Sequence, residues 1–161
     1  TDYSYNKEYV AQNERADYLR YHALHASLST QWSGLSWFQP KLTLAGNLSW
    51  KKPDAFSATD NLLKNAYYSL TMDFYPISKL RLYADFSQSV FEIAHSHYSV
   101  NSFLNAGLRY DFHPRWTVSA DLSNLLNRKD YEVSLYQGAN FQYYRVPLRG
   151  REFLVSLRFK Y

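Results

Sequence analysis

Apolar and polar residues alternate along most of this chain with a period of two. The clearest run is 38–51, where Phe38, Leu42, Leu44, Leu48 and Trp50 interleave with Gln39, Lys41, Thr43, Asn47 and Lys51. A pleated strand sends these two sets to opposite faces, and no helical face collects them. The same alternation carries Leu24, Ala26 and Leu28, then Ala66 to Phe74, Leu80 to Phe86, Leu104 to Phe112, Trp116 to Leu122 and Phe153 to Tyr161. The pattern predicts about seven strands of roughly nine to twelve residues, long for a soluble sheet and suited to a tilted membrane strand.

The links between these runs alternate as well. Short ones fall at 33–37, 77–79 and 113–115, and long polar ones at 52–64, 92–99 and 127–149. Short links that keep the parity of both flanking strands are hairpins. Short turns at one end and long loops at the other are the build of an outer-membrane barrel, so the expected fold is all-β: an antiparallel, up-and-down transmembrane β-barrel wall.

A soluble up-and-down barrel also alternates, with its apolar face inside. Aromatic position separates the two. Trp32, Trp37, Phe38, Phe74, Tyr75, Tyr110, Phe112, Trp116, Phe159 and Tyr161 gather at or beside the short-turn end, and Trp50, Tyr67, Tyr68, Phe91 and Tyr98 at the other. Two such bands around an aliphatic one are expected at the two interfaces of a membrane, where amphipathic rings prefer headgroup depth. The polar face then lines the interior, with charges of both signs placed to pair across hairpins, Asp73 with Arg81 or Tyr83 among them.

Composition narrows the field further. The 161 residues hold 16 Tyr, 10 Phe, 4 Trp and no Cys, which excludes disulfide frameworks and thiolate chemistry. Net charge is +4, but the basic residues stand singly. The rings sit at strand ends rather than on a basic stacking platform, so nucleic acid is not an expected partner. No stretch approaches the roughly 20 apolar residues of a membrane helix.

Counting direction back from a last strand ending at the periplasmic rim places residues 1–17 in an outer loop and strands, turns and loops in 18–161. An odd strand count starting outside is what part of a larger barrel looks like. The alternative is that residues 1–10 form an eighth strand and close a small barrel of structural or adhesive role. Their alternation of Tyr3, Tyr5 and Lys7 with Asp2, Ser4 and Asn6 lacks an aliphatic face.

The C-terminal third carries recognisable residues. Asp121-Leu122-Ser123-Asn124-Leu125-Leu126-Asn127-Arg128-Lys129-Asp130-Tyr131 resembles the Asn-Leu-Phe-Asn/Asp-Lys-x-Tyr stretch of TonB-dependent outer-membrane receptors, with Leu126 in place of Phe. Pro147-Leu148-Arg149-Gly150-Arg151 is similar to their Pro-Gly-Arg entry to the last strand, and residues 155–161 to their aromatic ending. The resemblance implies a barrel of about 22 strands around a plug, importing a scarce nutrient such as a metal chelate, saccharide or peptide. The plug would lie outside this chain. The implied partners are outer-membrane lipid, the remaining strands and plug, TonB acting through that plug, the barrel-assembly machinery and a surface lipoprotein. Phe153, Val155, Leu157, Phe159 and Tyr161 would then form the assembly signal.

Candidate chemistry is sparse. No Gly-x-Ser-x-Gly, phosphate loop or protected carboxylate pair is present, so no enzyme and no cofactor are expected. His95 and His97 beside Glu92 have the spacing to share a metal but lack a third ligand, and read as a solvated loop. For ligand contact the candidates are Tyr131, Tyr136, Phe141, Tyr143 and Tyr144, with Gln137, Asn140 and Gln142 among them. Aromatic faces with amide donors suit sugars or flat chelates.

Overall fold

The computed structural model describes residues 1–12, 15–53, 61–94, 97–137 and 140–161, with side chains at all of these except 8–12, 15–17, 19, 51–53, 61, 93–94, 135–137 and 140–141. Its strands are β1 (Asp2–Gln12), β2 (Arg15–Gln31), β3 (Phe38–Pro53), β4 (Asn61–Ile77), β5 (Leu80–Ala94), β6 (His97–His113), β7 (Trp116–Ser123), β8 (Asp130–Gln137), β9 (Asn140–Pro147) and β10 (Glu152–Phe159). Eight of them form one antiparallel sheet in the order β1-β2-β3-β4-β5-β6-β7-β10, and β8 and β9 form a separate hairpin. The sheet is open: β1 and β10 lie at its opposite edges.

Two expectations change. Residues 2–12 and 15–17 are strand and not outer loop, because β1 pairs with β2 from Asp2↔His25 to Gln12↔Arg15. The face judged to lack aliphatics is made instead by rings and a lysine stem: Tyr3 and Tyr5 pack on His22, and Lys7 Nζ lies 3.8 Å from the centre of the Tyr18 ring. The main sheet therefore has eight strands rather than seven, and the odd-count argument for a larger barrel falls. The 127–149 link is the second change, since most of it is the β8–β9 hairpin.

Register confirms the two faces. Leu28↔Leu44, Leu42↔Leu70, Leu82↔Leu108, Ala106↔Leu122 and Val118↔Leu157 share one face. Ser27↔Ala45, Thr71↔Asp85 and Arg109↔Ser119 share the other. Tight turns close two hairpins, Ile77↔Leu80 around Ser78 and Lys79 and His113↔Trp116 around Pro114 and Arg115, and a register shift beside each, between Phe74 and Ile77 and between Tyr110 and His113, restores the pairing of like faces. The strands are longer than their apolar runs, with β2, β4 and β6 each at 17 residues.

Burial is inverted relative to a water-soluble domain. Among the described residues the one buried hydrophobic side chain is Leu63, whereas Ser49, Glu92, Ser99, Asn101, Asn124 and Ser134 are all buried. Leu44 is 43% exposed and Leu157 62%. The leucine face thus stands open while polar groups are enclosed, the reverse of ordinary usage.

Ring positions hold at the short-turn end, where Trp37 meets Phe74 edge-on at 5.7 Å and Trp116 lies 4.6 Å from Phe159. At the other end the band is different from the one expected. Tyr67 and Phe91 have the parity of the polar face, and Tyr68 sits mid-sheet beside Phe86. Trp50 and Tyr98 hold their expected place on the apolar face, and Tyr3, Tyr5 and Tyr18 join them there.

Candidate functional site

The β8–β9 hairpin leans back on the polar face of β5 and β6, and this junction is the most organised polar region of the molecule. It begins where β7 ends. Asn124 and Asn127 both adopt positive φ, 52° and 56°, a conformation asparagine tolerates better than most residues. The Asn124 backbone N–H donates to Asn105 Oδ1 (2.9 Å), its Oδ1 accepts from Arg128 N–H (2.8 Å), and its Nδ2 donates to the carbonyls of Arg128 and Arg149 (2.8 and 2.9 Å). One buried side chain therefore ties the end of β7, the start of the hairpin and the approach to β10. Gly150 completes the knot, because a Cβ there would lie 3.1 Å from Asn127 Oδ1.

Asn101 then docks the hairpin. Its side chain is 0% exposed. Nδ2 donates to the Glu132 carbonyl (2.6 Å), and Oδ1 accepts from Glu132 N–H (3.0 Å). A carboxamide used this way imitates a peptide group of a neighbouring strand, satisfying a backbone donor and acceptor together. Ser99 donates to Glu132 Oε2 and Ser134 to the Glu92 carbonyl, each at 2.6 Å. Tyr131 packs between Phe91 and Phe103, with ring centres 6.2 Å from each.

Charge on the hairpin is paired. Arg145 Nη2 lies 2.6 Å from Asp130 Oδ2, and its Nε 3.7 Å from Glu132 Oε1. The hydrogen bond from Arg145 holds the Asp130 carboxyl below the usual carboxylate range. Glu132 is lowered too, first by the Ser99 hydroxyl and then by Tyr143 and Arg145. The Tyr143 phenol is pushed up by desolvation and by its bond to Glu132.

The ligand candidates are thereby sorted. Tyr131 is a packing residue of the junction. Tyr143 and Tyr144 are adjacent in β9 and point to opposite faces of the hairpin, 45% and 47% exposed. The backbones of Tyr136 and Phe141 pair near the hairpin tip, and their side chains lie outside the described ones. His97 is exposed at the start of β6, and His95 lies outside the described residues. Among the described residues no group of three or more His, Asp or Glu could hold a metal ion. Sequence reasoning missed Asn101, Glu132 and Arg145; an amide on the polar face of a strand is the one signal available, and it does not name its partner.

Below the junction the polar face carries a bonded network. Arg81 pairs with Asp73 at 2.7 Å, as its cross-hairpin position requires. Thr71 donates to Asp85 (2.6 Å), and Tyr83 donates to Asp121.

Comparison with known family models, curated proteins and solved structures finds no match to this chain.

Proposed function

We propose that this chain is part of the barrel wall of a TonB-dependent outer-membrane receptor, importing a scarce metal chelate, saccharide or peptide across the bacterial outer membrane. The observation that carries the reading is the inverted burial: a continuous leucine-rich face left open, over a polar face that encloses its own hydrogen bonds. Lipid is the solvent that suits such a surface. The polar residues Gln88 and Ser102 on the apolar face support it, because Gln88 Nε2 donates to Ser102 Oγ (2.5 Å) and Gln88 accepts from Tyr68, so their polar atoms are paired without water. The open edges of β1 and β10 call for the remaining strands, since an unpaired edge in lipid leaves each backbone group unsatisfied at several kcal/mol. The Asn124–Asn127 turn and Gly150, which carry the family resemblance, form the knot that aims β10 and holds the hairpin over the polar face. Tyr143 and Tyr144 would meet the ligand. The plug, TonB, the assembly machinery and a surface lipoprotein are the partners this reading brings.

A second reading is favoured by one observation. The eight sheet strands are even in number, and β1 and β10 run in opposite directions, as neighbours closing a small barrel must. The experiment that tests both is fractionation of the native source, followed by intact mass. Recovery from the outer membrane in a chain far heavier than 19.0 kDa supports the receptor. Recovery there at that mass supports the small barrel, and recovery in the aqueous fraction overturns both.

A further inference from the structure

The β8–β9 hairpin stands on the polar face by one edge and holds its other edge open. One bond fixes which backbone groups that open edge presents. Leu148 N–H donates to the Lys129 carbonyl (2.7 Å), so 129↔148 is a hydrogen-bonded pair. Such pairs recur at every second residue of an antiparallel ladder. In the register Asp130↔Pro147 to Gln137↔Asn140 they are therefore Tyr131↔Val146, Val133↔Tyr144, Leu135↔Gln142 and Gln137↔Asn140. The residues between them turn their backbone groups outward. On β8 this set includes Glu132, whose N–H and C=O both meet the Asn101 side chain, in agreement with the assignment. On β9 it consists of the N–H and C=O of Phe141, Tyr143 and Arg145.

Among the described residues β9 pairs with β8 alone. The open edges of β1 and β10 belong to the sheet and await barrel neighbours, but β9 lies off the sheet. Because Ser99, Asn101 and the Glu92 carbonyl hold β8, β8 stands between β9 and the wall. The open edge of β9 thus faces the space over the polar face, at the end opposite the tight turns. Exposed edges are commonly blunted by lysine, proline or a bulge. This one has no register shift and no lysine, and its proline stands only at the end, as Pro147. Its outward groups repeat every second residue, about 6.8 Å apart. An extended polypeptide offers donors and acceptors at that same repeat, which a sugar ring or a chelate does not. The edge is also balanced in charge, since Arg145 is matched by Asp130 and Glu132. Exposed Tyr143 and Arg145 flank it on one face of the hairpin, and exposed Tyr144 and Val146 on the other.

We propose that β9 captures an extended peptide as a third strand of the hairpin, bonded main chain to main chain at Phe141, Tyr143 and Arg145. The inference rests on the receptor reading and narrows its cargo to peptide, and the test separates the two. The chain is folded into phosphatidylcholine vesicles and titrated with a capped Thr-Val-Thr-Val-Thr-Val-Thr peptide. Saturable binding is expected. Amide exchange should slow at Phe141, Tyr143 and Arg145 and stay unchanged at Gln142, Tyr144 and Val146, whose N–H groups the ladder already holds. N-methylation of one alternate set of peptide residues should weaken binding about tenfold, and of the other set should leave it intact. Tyr143→Pro removes one outward N–H and spares the ladder to β8. It should also weaken binding about tenfold, with exchange at Val133 and Tyr144 unchanged. The N-methylated pair tests the proposal in the parent chain, whatever that variant does to the hairpin. No binding by the inserted chain, equal loss with both methylated sets, or uniform protection along β9 would overturn the proposal and leave the membrane reading standing. Protection of the same three amides without peptide, rising with protein concentration, would make a second copy the occupant and overturn it too. Failure to insert would overturn both.

Discussion

The ring of Tyr83 lies over Gly107, so close that a Cβ at 107 would meet ring and hydroxyl atoms at 2.5 Å. The two residues are register partners on β5 and β6, and Gly107 is in turn the partner of Asp121 on β7. Tyr83 crosses the bare backbone of the middle strand to donate to Asp121 on the far one. Glycine, a weak strand former, is here covered by an aromatic ring that its own lack of a side chain admits.

Gly107→Ala should displace the ring and cost about 1–3 kcal/mol, as overpacking generally does. Tyr83→Phe, which keeps the ring and loses the bond, should cost less. Denaturant midpoints of the protein in detergent micelles check the order; an alanine variant as stable as the parent contradicts it.

Asn101→Ala should free the hairpin and leave the sheet intact. It strips a backbone donor and acceptor of their partner, worth about 1–3 kcal/mol for a buried group. Limited proteolysis should then cut between 128 and 147 while strand content by circular dichroism stays unchanged.

Acid should act on the same junction. The Asp130 and Glu132 carboxyls are lowered by their partners, so their contribution is complete above the ordinary carboxylate pKa near 4. It is lost as pH falls from there through the lowered values. Hydrogen exchange along β8 should be unchanged from pH 8 to 5 and rise below about pH 4. Arg145→Gln should shift that onset upward.

Asn124→Gly keeps access to positive φ and loses the side-chain bonds; Asn124→Ala loses both. The expected order of stability is parent, glycine, alanine, with about 1 kcal/mol between the last two. Thermal unfolding in micelles reads it directly.

The apolar face offers the sharpest contrast. Leu44→Arg should cost about 2–4 kcal/mol if that face meets lipid at mid-depth, and Thr43→Arg, one residue away on the polar face, far less. Folding yields into vesicles measure both. Equal yields would contradict the membrane reading.

Much of this fold was legible because alternation is a local property. Leu42, Leu70 and Leu82 disclose their face from their own neighbours, and the tight links at 78–79 and 114–115 mark the reversals, although the register shift beside each could not be foreseen. β1 escaped because its apolar side is built from Tyr3, Tyr5 and the stem of Lys7, which score as polar. Residues 130–137 alternate too, yet Asp130, Glu132 and Ser134 made them read as loop. The junction could not be read at all. Asn101 and Glu132 are far apart in sequence, and nothing near either residue names the other.

The tight turns at 78–79 and 114–115 also bear on how such a chain can change over generations. A residue added at either turn must be absorbed by the register shift beside it, or Leu82 or Val118 is presented to the opposite side. Insertions at that end are therefore limited to what the register shift beside each turn can take up, and the longer connections at the other end tolerate more. Diversity in descendants of this sequence should accumulate at one pole of the molecule, and the larger length differences should be found there.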